Sequence, residues 1–222
     1  MDTQFTAEPA RRRIGANAAA GVQIEIVTIV WMTIEAVVAI AAGILAASVA
    51  LTAFGADSVI ELVSGGVLLW RLRKEALGMP TANVELAERR AAWITGVALA
   101  LLCVYVLASS VVALLLRMQP DQSIPGIILA MTAILVMPVL AWRKRDIAGR
   151  IESAALRSDA TCSITCAYMA GALLAGLACH ALFGWWWADA AAALVFLVWL
   201  VPETSEALTN ARAGWAACAC CD

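Results

Sequence analysis

The chain has 222 residues, of which 63% are hydrophobic and 14% are charged, and its mean hydropathy is +0.86. In a soluble domain roughly a quarter of the residues are charged, so this composition excludes a soluble domain. The apolar stretches are long enough to cross a bilayer, which takes about 20 residues each. The net charge of −2 says little about partners because the charges are segregated along the chain. Nothing in the sequence supports nucleic-acid binding.

The N-terminal segment carries three consecutive arginines, Arg11, Arg12 and Arg13, before a short alanine-rich run. These could belong to a twin-arginine signal, but we favour a cytoplasmic anchor for the first helix and expect no separate secretory signal. We predict a cytoplasmic tail over residues 1–20, a transmembrane domain over 21–208 and a cytoplasmic Cys-rich tail over 209–222.

We predict an all-α membrane protein with six transmembrane helices and both termini in the cytoplasm. The predicted spans cover residues 22–47, 49–70, 92–116, 124–142, 160–183 and 185–208. Short outer connections make consecutive helices antiparallel neighbours. Three tryptophans at the start of the sixth span are expected to anchor it at the membrane interface, and four glycines allow close helix contacts. These residues are Trp185, Trp186 and Trp187, and Gly65, Gly66, Gly171 and Gly176.

The basic residues concentrate in three places that a six-span chain puts on one side of the membrane. They are Arg11 to Arg13; Arg71, Arg73, Lys74, Arg89 and Arg90; and Arg143, Lys144, Arg145, Arg150 and Arg157. The loops on the opposite side hold only Arg117. The positive-inside rule then assigns the basic side to the cytoplasm.

Two acids four residues apart, Asp57 and Glu61, lie near the middle of the predicted second span. Residues at this spacing share one face of a helix. Each acid costs about 2.5–3.5 kcal/mol at a helix centre on insertion scales, and the two like charges repel one another. We expect no Lys or Arg inside any span to pair with them. A divalent cation, or protons in its absence, would resolve the conflict.

Two cysteines with the same spacing, Cys162 and Cys166, lie in the predicted fifth span, and Asp159 precedes them on one helical stripe. Two oxygens and two sulfurs that converge would form a four-coordinate site for a divalent, fairly soft metal ion. The predicted ligands are Asp57, Glu61, Cys162 and Cys166, with Asp159 as an accessory candidate. Two alternatives stay open, since buried cysteine is often only a small apolar residue and a dithiol can be redox-active.

Other polar or thiol residues in the spans have less specific interpretations. Glu35, an acid in the first span, could be a further ligand, a proton carrier or a structural group. Asp189 is expected to cap the sixth helix rather than line an exit path. His180, the only histidine, is expected to be a polar interface residue, and Cys103 and Cys179 are expected to be small apolar residues.

The C-terminus holds three thiols in four residues beside a carboxylate, the sequence CACCD. Cys218, Cys220 and Cys221 together could chelate a thiophilic ion. We favour a metal-capturing cytosolic tail over an oxidisable, frayed end. These cysteines are therefore candidate accessory ligands outside the membrane.

Three stretches of the chain resemble the cation diffusion facilitators, the six-helix exporters of zinc and related ions. Residues 54–61, FGADSVIE, are similar to that family's first half-site, an acid or His followed three residues later by an acid. Residues 156–166, LRSDATCSITC, are similar to its second half-site. Residues 184–194, GWWWADAAAAL, are similar to the start of its sixth helix. The resemblance covers residues 20–208.

The chain departs from the family pattern in three respects. Cys162 and Cys166 stand where His and Asp are usual, so simple zinc preference is not implied. The loop over residues 143–159 has no histidine-rich stretch. The C-terminal soluble domain common in the family is missing, so the chain resembles the smaller branch without it.

The resemblance and the ligands together predict an exporter of divalent heavy-metal ions through a mid-membrane site between helices 2 and 5, by metal/proton antiport. Its partners would be Zn, Cd, Pb or Hg ions, protons, the lipid bilayer and a second copy of the chain in a homodimer. No permanently bound cofactor and no enzymatic activity are expected, and a bacterial inner membrane suits the design. The sequence lacks a Gly-x-x-x-x-Gly-Lys-Ser/Thr motif, which argues against a primary pump.

Two other functions remain open at this point. One is a metal-capturing membrane receptor or uptake accessory that uses the CACCD tail and moves no ion by itself. The other is a membrane thiol oxidoreductase, in which Cys162 and Cys166 would cycle between thiols and a disulfide.

Overall fold

The computed structural model of the chain describes residues 7–77, 82–151 and 153–213. These residues form six helices and no strand. The helices are α1 (Ala7–Leu45), α2 (Val49–Ala76), α3 (Ala82–Leu115), α4 (Ile124–Ile151), α5 (Ala154–Phe183) and α6 (Ala188–Ala213). Each contains a stretch long and apolar enough to cross a membrane. The predicted all-α class and the six spans are confirmed.

The helices extend beyond the predicted spans at the end of the bundle that carries most of the basic residues. α2 ends at Ala76 rather than residue 70, α3 begins at Ala82 rather than 92, and α4 continues to Ile151 rather than 142. These extensions are rich in Ala, Arg, Lys and Glu, which favour helix without being apolar. Hydropathy therefore located the membrane crossings but not the helix ends, and the extension of α4 carries Lys144 into a helix.

The second helix lies at the centre of the bundle. It contacts α1, α3, α5 and α6, and its most apolar window is 50% buried, against 28% for the corresponding windows of α3 and α6. Phe54 on α2 packs against Phe196 on α6 with ring centroids 6.5 Å apart. Residues on the inward face of α2 are therefore shielded from lipid, whereas much of α3 and α6 faces outward.

The predicted close helix contacts form at two of the four glycines. A Cβ at Gly176 on α5 would lie 2.6 Å from Ala192 Cβ on α6, and one at Gly65 on α2 would lie 3.0 Å from Glu25 Oε1 on α1. A Cβ at Gly66 or Gly171 would have no atom of another helix within 4 Å in the described structure. The expected close helix contact was therefore wrong for these two glycines within the chain. Their absent side chains leave outward-facing gaps instead of helix contacts.

The outer end of the bundle is closed by short turns. Two residues past the ends of α1 and α3, Ala47 has φ 51° and Arg117 has φ 50°, both in the left-handed region. The amide of Asp121 donates to Ala46 O at 2.8 Å. Trp185 and Trp187 stack with centroids 5.2 Å apart at the exposed start of α6. Their position fits the predicted interfacial anchor.

Asp189 caps a helix, but not the predicted one. Its Oδ1 accepts from Ser48 Oγ at 2.5 Å, and its Oδ2 accepts from the amides of Val49 at 2.8 Å and Ala50 at 3.4 Å. These amides begin α2, whereas Asp189 itself lies in the first turn of α6. The carboxylate therefore satisfies free N–H groups of a neighbouring helix and joins α6 to the start of α2.

Candidate functional site

Glu35 on α1 joins three parts of the bundle interior. Its side chain is fully buried. Oε1 accepts from Ser58 Oγ on α2 at 2.8 Å and from Cys166 Sγ on α5 at 3.5 Å. Oε2 accepts from Trp31 Nε1 at 3.0 Å. Glu35, whose role the sequence left open, thus links the helices that carry the two predicted half-sites.

Asp57 on α2 is buried, with 2% of its surface exposed, and its Oδ1 has no hydrogen-bond partner in the described structure. Its charge interacts with those of Glu203 on α6 and Glu35 on α1. No Lys or Arg in the described part of the chain forms an ion pair with it. Burying an ionised carboxylate without a partner costs free energy, so a bound cation or a proton is needed to neutralise Asp57.

Glu61 lies one turn further along α2 and is half-buried. Its charge interacts with those of Asp57, Glu203, Glu35 and Asp159. We call Glu35, Asp57, Glu61 and Glu203 the acid cluster. It draws its members from α1, α2 and α6, so it concentrates negative charge where those helices meet.

Glu203 was missed in the sequence. It follows Pro202 in the predicted sixth span and precedes Glu206 by three residues, and acids inside an apolar span are themselves the signal of a functional group. Its charge interacts with that of Glu206, three residues further along α6, and with those of Asp57 and Glu61 on α2.

The two predicted thiol ligands differ in their surroundings. Cys166 is buried, contacts Glu35 and interacts electrostatically with Glu35, Glu61 and Asp57. Cys162 is half-buried. In the described residues no three His, Cys, Asp or Glu side chains converge closely enough to hold a metal ion. The four-ligand set therefore stays a prediction. Of its two thiols, Cys166 is the one that contacts the acid cluster, through Glu35.

Asp159 meets a basic partner that the sequence did not reveal. Lys144 on α4 is fully buried, and its Nζ contacts Asp159 Oδ2 and lies 3.2 Å from Glu25 Oε2 on α1. The expectation that no Lys or Arg lies inside a span was wrong, because α4 continues through Lys144. Lys144 was assigned to a loop because the predicted fourth span ended at Trp142, whereas Glu25 was overlooked inside the predicted first span.

Of the remaining predicted residues, Cys103 on α3 interacts electrostatically with Asp57 and Glu203 of the acid cluster. His180 is partly exposed, with its Nδ1 3.4 Å from Trp185 O. Cys103 Sγ is 3.6 Å from Thr204 Oγ1. Cys218, Cys220 and Cys221 lie outside the described residues.

Six spanning helices around a buried, acid-rich interior define an integral, multi-pass membrane protein that attracts cations. A family model described as the cation efflux transmembrane domain matches residues 26–212. The chain belongs to this cation efflux family, also called the cation diffusion facilitators, and is a cation transporter rather than an enzyme. No curated protein matches it in a sequence search.

Proposed function

We propose that this protein exports divalent, thiophilic metal ions, of the class of Zn, Cd, Pb or Hg, in exchange for protons. The ions would bind between α2 and α5, on Asp57, Glu61, Cys162 and Cys166. The observation that carries the proposal is Asp57: a buried carboxylate whose Oδ1 lacks a hydrogen bond, surrounded by other acids. Such a site is balanced by a bound cation or by protons.

Proton exchange follows from the chemistry of these ligands. Carboxylates and thiols bind a metal ion only after they lose their protons, so metal and protons compete for one set of atoms. From the cytosol, the metal ion displaces protons; at the outer face, protons displace the metal ion. A rocking movement of the helices would expose the site to each side in turn.

Cys166 supplies the preference for soft ions. A thiolate beside carboxylates favours Zn, Cd, Pb and Hg over Mg, Ca or Mn. Its thiol points at Glu35 Oε1, at 3.5 Å, which supports a role for Glu35 as the group that accepts the Cys166 proton when the metal binds. Ser58 and Trp31 hold the Glu35 carboxylate in that position.

Metal binding would also change the arrangement of the helices. The described side chains do not form a closed set of three or more ligands, so we propose that the ion draws α5 toward α2 and closes the site around itself. A homodimer and a bacterial inner membrane remain predictions of the sequence.

The test is uptake into inverted membrane vesicles, whose outer surface is the cytosolic face of the protein. Zn, Cd, Pb and Mn uptake would be compared with and without an acidic lumen, in vesicles with and without the protein. We expect the acidic lumen to drive accumulation of Zn, Cd or Pb, with less for Mn. Equal uptake with and without the gradient would contradict proton exchange. Deleting residues 218–222 should leave most of the uptake intact. If the protein instead depends on a metal-capturing tail, the deletion should abolish uptake.

A further inference from the structure

A second buried charge cluster lies next to the acid cluster. It consists of Glu25 on α1, Lys144 on α4 and Asp159 on α5, which we call the lysine triad. Lys144 is 0% exposed, Glu25 1% and Asp159 14%. Lys144 Nζ contacts both carboxylates, and the three residues join the consecutive helices α4 and α5 to α1. A fully buried lysine persists only because it is paired in this way.

The lysine triad lies on the cytoplasmic side of the proposed metal ligands. Glu25 Oε1 would lie 3.0 Å from a Cβ at Gly65, which is one helical turn past Glu61 toward the cytoplasmic end of α2. Asp159 precedes Cys162 by three residues on α5, which enters the membrane from the same side. An ion that approaches Glu61 and Cys162 from the cytosol therefore reaches the lysine triad first.

The charges of the lysine triad and of the acid cluster also interact with one another. The charge of Asp159 interacts with that of Glu61, so a change of charge in one cluster affects the other. The triad holds two acids and one base, so Lys144 balances one carboxylate when both acids are ionised.

We propose that Lys144 is a tethered counter-cation that closes the cytoplasmic entrance of the site, and that an entering metal ion displaces its ammonium group from Asp159. The displaced ammonium group keeps Glu25 as its partner, so it need not stay buried without a counter-charge. Glu25 is thus the alternative acceptor that lets Lys144 move aside. This inference rests on the proposed export function and makes Lys144 a positioning residue that sets the affinity for cytosolic metal.

The test uses the full-length protein in inverted vesicles, with Cd uptake rates measured against Cd concentration for three variants. Lys144→Gln removes the competing cation, so KM for Cd should fall by about fivefold or more, the lower end of typical coupling between linked sites. Glu25→Gln removes the alternative acceptor and holds Lys144 on Asp159, so KM should rise by about the same factor. Arg150→Gln is the control and should stay close to wild type, because Arg150 is exposed and pairs with Asp146 in its own helix.

The opposite directions of the two KM changes separate this role from a structural one. A purely structural ion pair predicts less folded protein and a lower maximal rate for both variants, with no opposed change in KM, and that result would overturn the inference. If Lys144→Gln does not fold, an unchanged or lower KM in Glu25→Gln overturns it equally. A wild-type protein that moves no Cd would instead refute the proposed function itself.

Discussion

Cys166 on α5 donates to Glu35 on α1 across 3.5 Å, between residues that are 131 positions apart in the chain. The contact joins a thiol of the predicted second half-site to the carboxylate that also accepts from Ser58, the neighbour of Asp57. It brings a soft ligand and a proton acceptor together in the membrane interior. This pairing connects metal preference to proton exchange in a single arrangement.

Replacing Glu35 with Gln tests whether its charge takes part in transport. Gln has nearly the same shape but no negative charge, so we expect Cd uptake in vesicles to fall by about tenfold or more, equivalent to about 1.4 kcal/mol. Trp31→Phe is the matched control, because it removes a donor to Glu35 but keeps the carboxylate. Wild-type uptake in Glu35→Gln would reduce Glu35 to a structural residue.

Changing Cys162 and Cys166 together to Ser tests thiolate ligation. Hydroxyl oxygens replace soft sulfur, so Cd uptake should fall more than Mn uptake does. The control is Cys179→Ser, which removes a thiol from α5 outside the proposed site. Competition between Cd and Mn in one vesicle preparation gives the ratio directly. An equal loss for both metals would speak against sulfur ligands.

The two glycines on α5 give a paired test of the packing. Gly176→Ala places a methyl group 2.6 Å from Ala192 Cβ and 3.2 Å from Ala188 O, so α5 and α6 must move apart, at a cost of about 1–3 kcal/mol. Gly171→Ala enters open space and should be neutral or slightly stabilising. Thermal unfolding of the purified proteins in detergent compares them. Equal melting temperatures for both variants would contradict the described contact.

Asp189→Ala removes the cap that α6 provides for α2. Three hydrogen bonds are lost and the first amides of α2 are left without an acceptor, so stability should fall by about 1–2 kcal/mol. Asp121→Ala is the control, since Asp121 is an exposed outer-loop residue whose backbone amide, not its side chain, makes the described contact. Melting temperatures in detergent measure the difference. An equal fall in melting temperature for Asp121→Ala would contradict a specific contribution of the Asp189 cap to stability.

The membrane topology and the central acids could be predicted from the sequence, because both depend on local signals. A 20-residue apolar run identifies a span, and Asp57 and Glu61 stand out within one because charge in lipid is expensive. The same signals failed at Lys144, since a polar extension of α4 looks like a loop when only hydropathy is considered. They also failed to assign Asp189, which caps a helix about 140 residues away.

The partners of Glu35 show why the rest of the site depended on the structure. Trp31 lies one turn away and a helical pattern could suggest it, but Ser58 and Cys166 reach Glu35 only through the packing of α1 against α2 and α5. Glu203 approaches Asp57 in the same manner, from α6. Side-chain contacts between helices depend on their rotation and relative height, which a single sequence does not specify.

The central claim is that metal crosses the membrane on Asp57. Asp57→Asn keeps the size of the side chain, removes its charge and its proton exchange, and should leave the protein folded in the membrane. Asp146→Asn is the control, because Asp146 is exposed and its ion pair is with Arg150 in the next turn of α4.

The most direct measurement is Cd uptake, driven by an acidic lumen, in inverted vesicles that contain equal amounts of wild type, Asp57→Asn and Asp146→Asn. The proposal predicts that wild type and Asp146→Asn accumulate Cd at similar rates while Asp57→Asn falls to the level of empty vesicles. Accumulation by Asp57→Asn at the wild-type rate would contradict the assigned site.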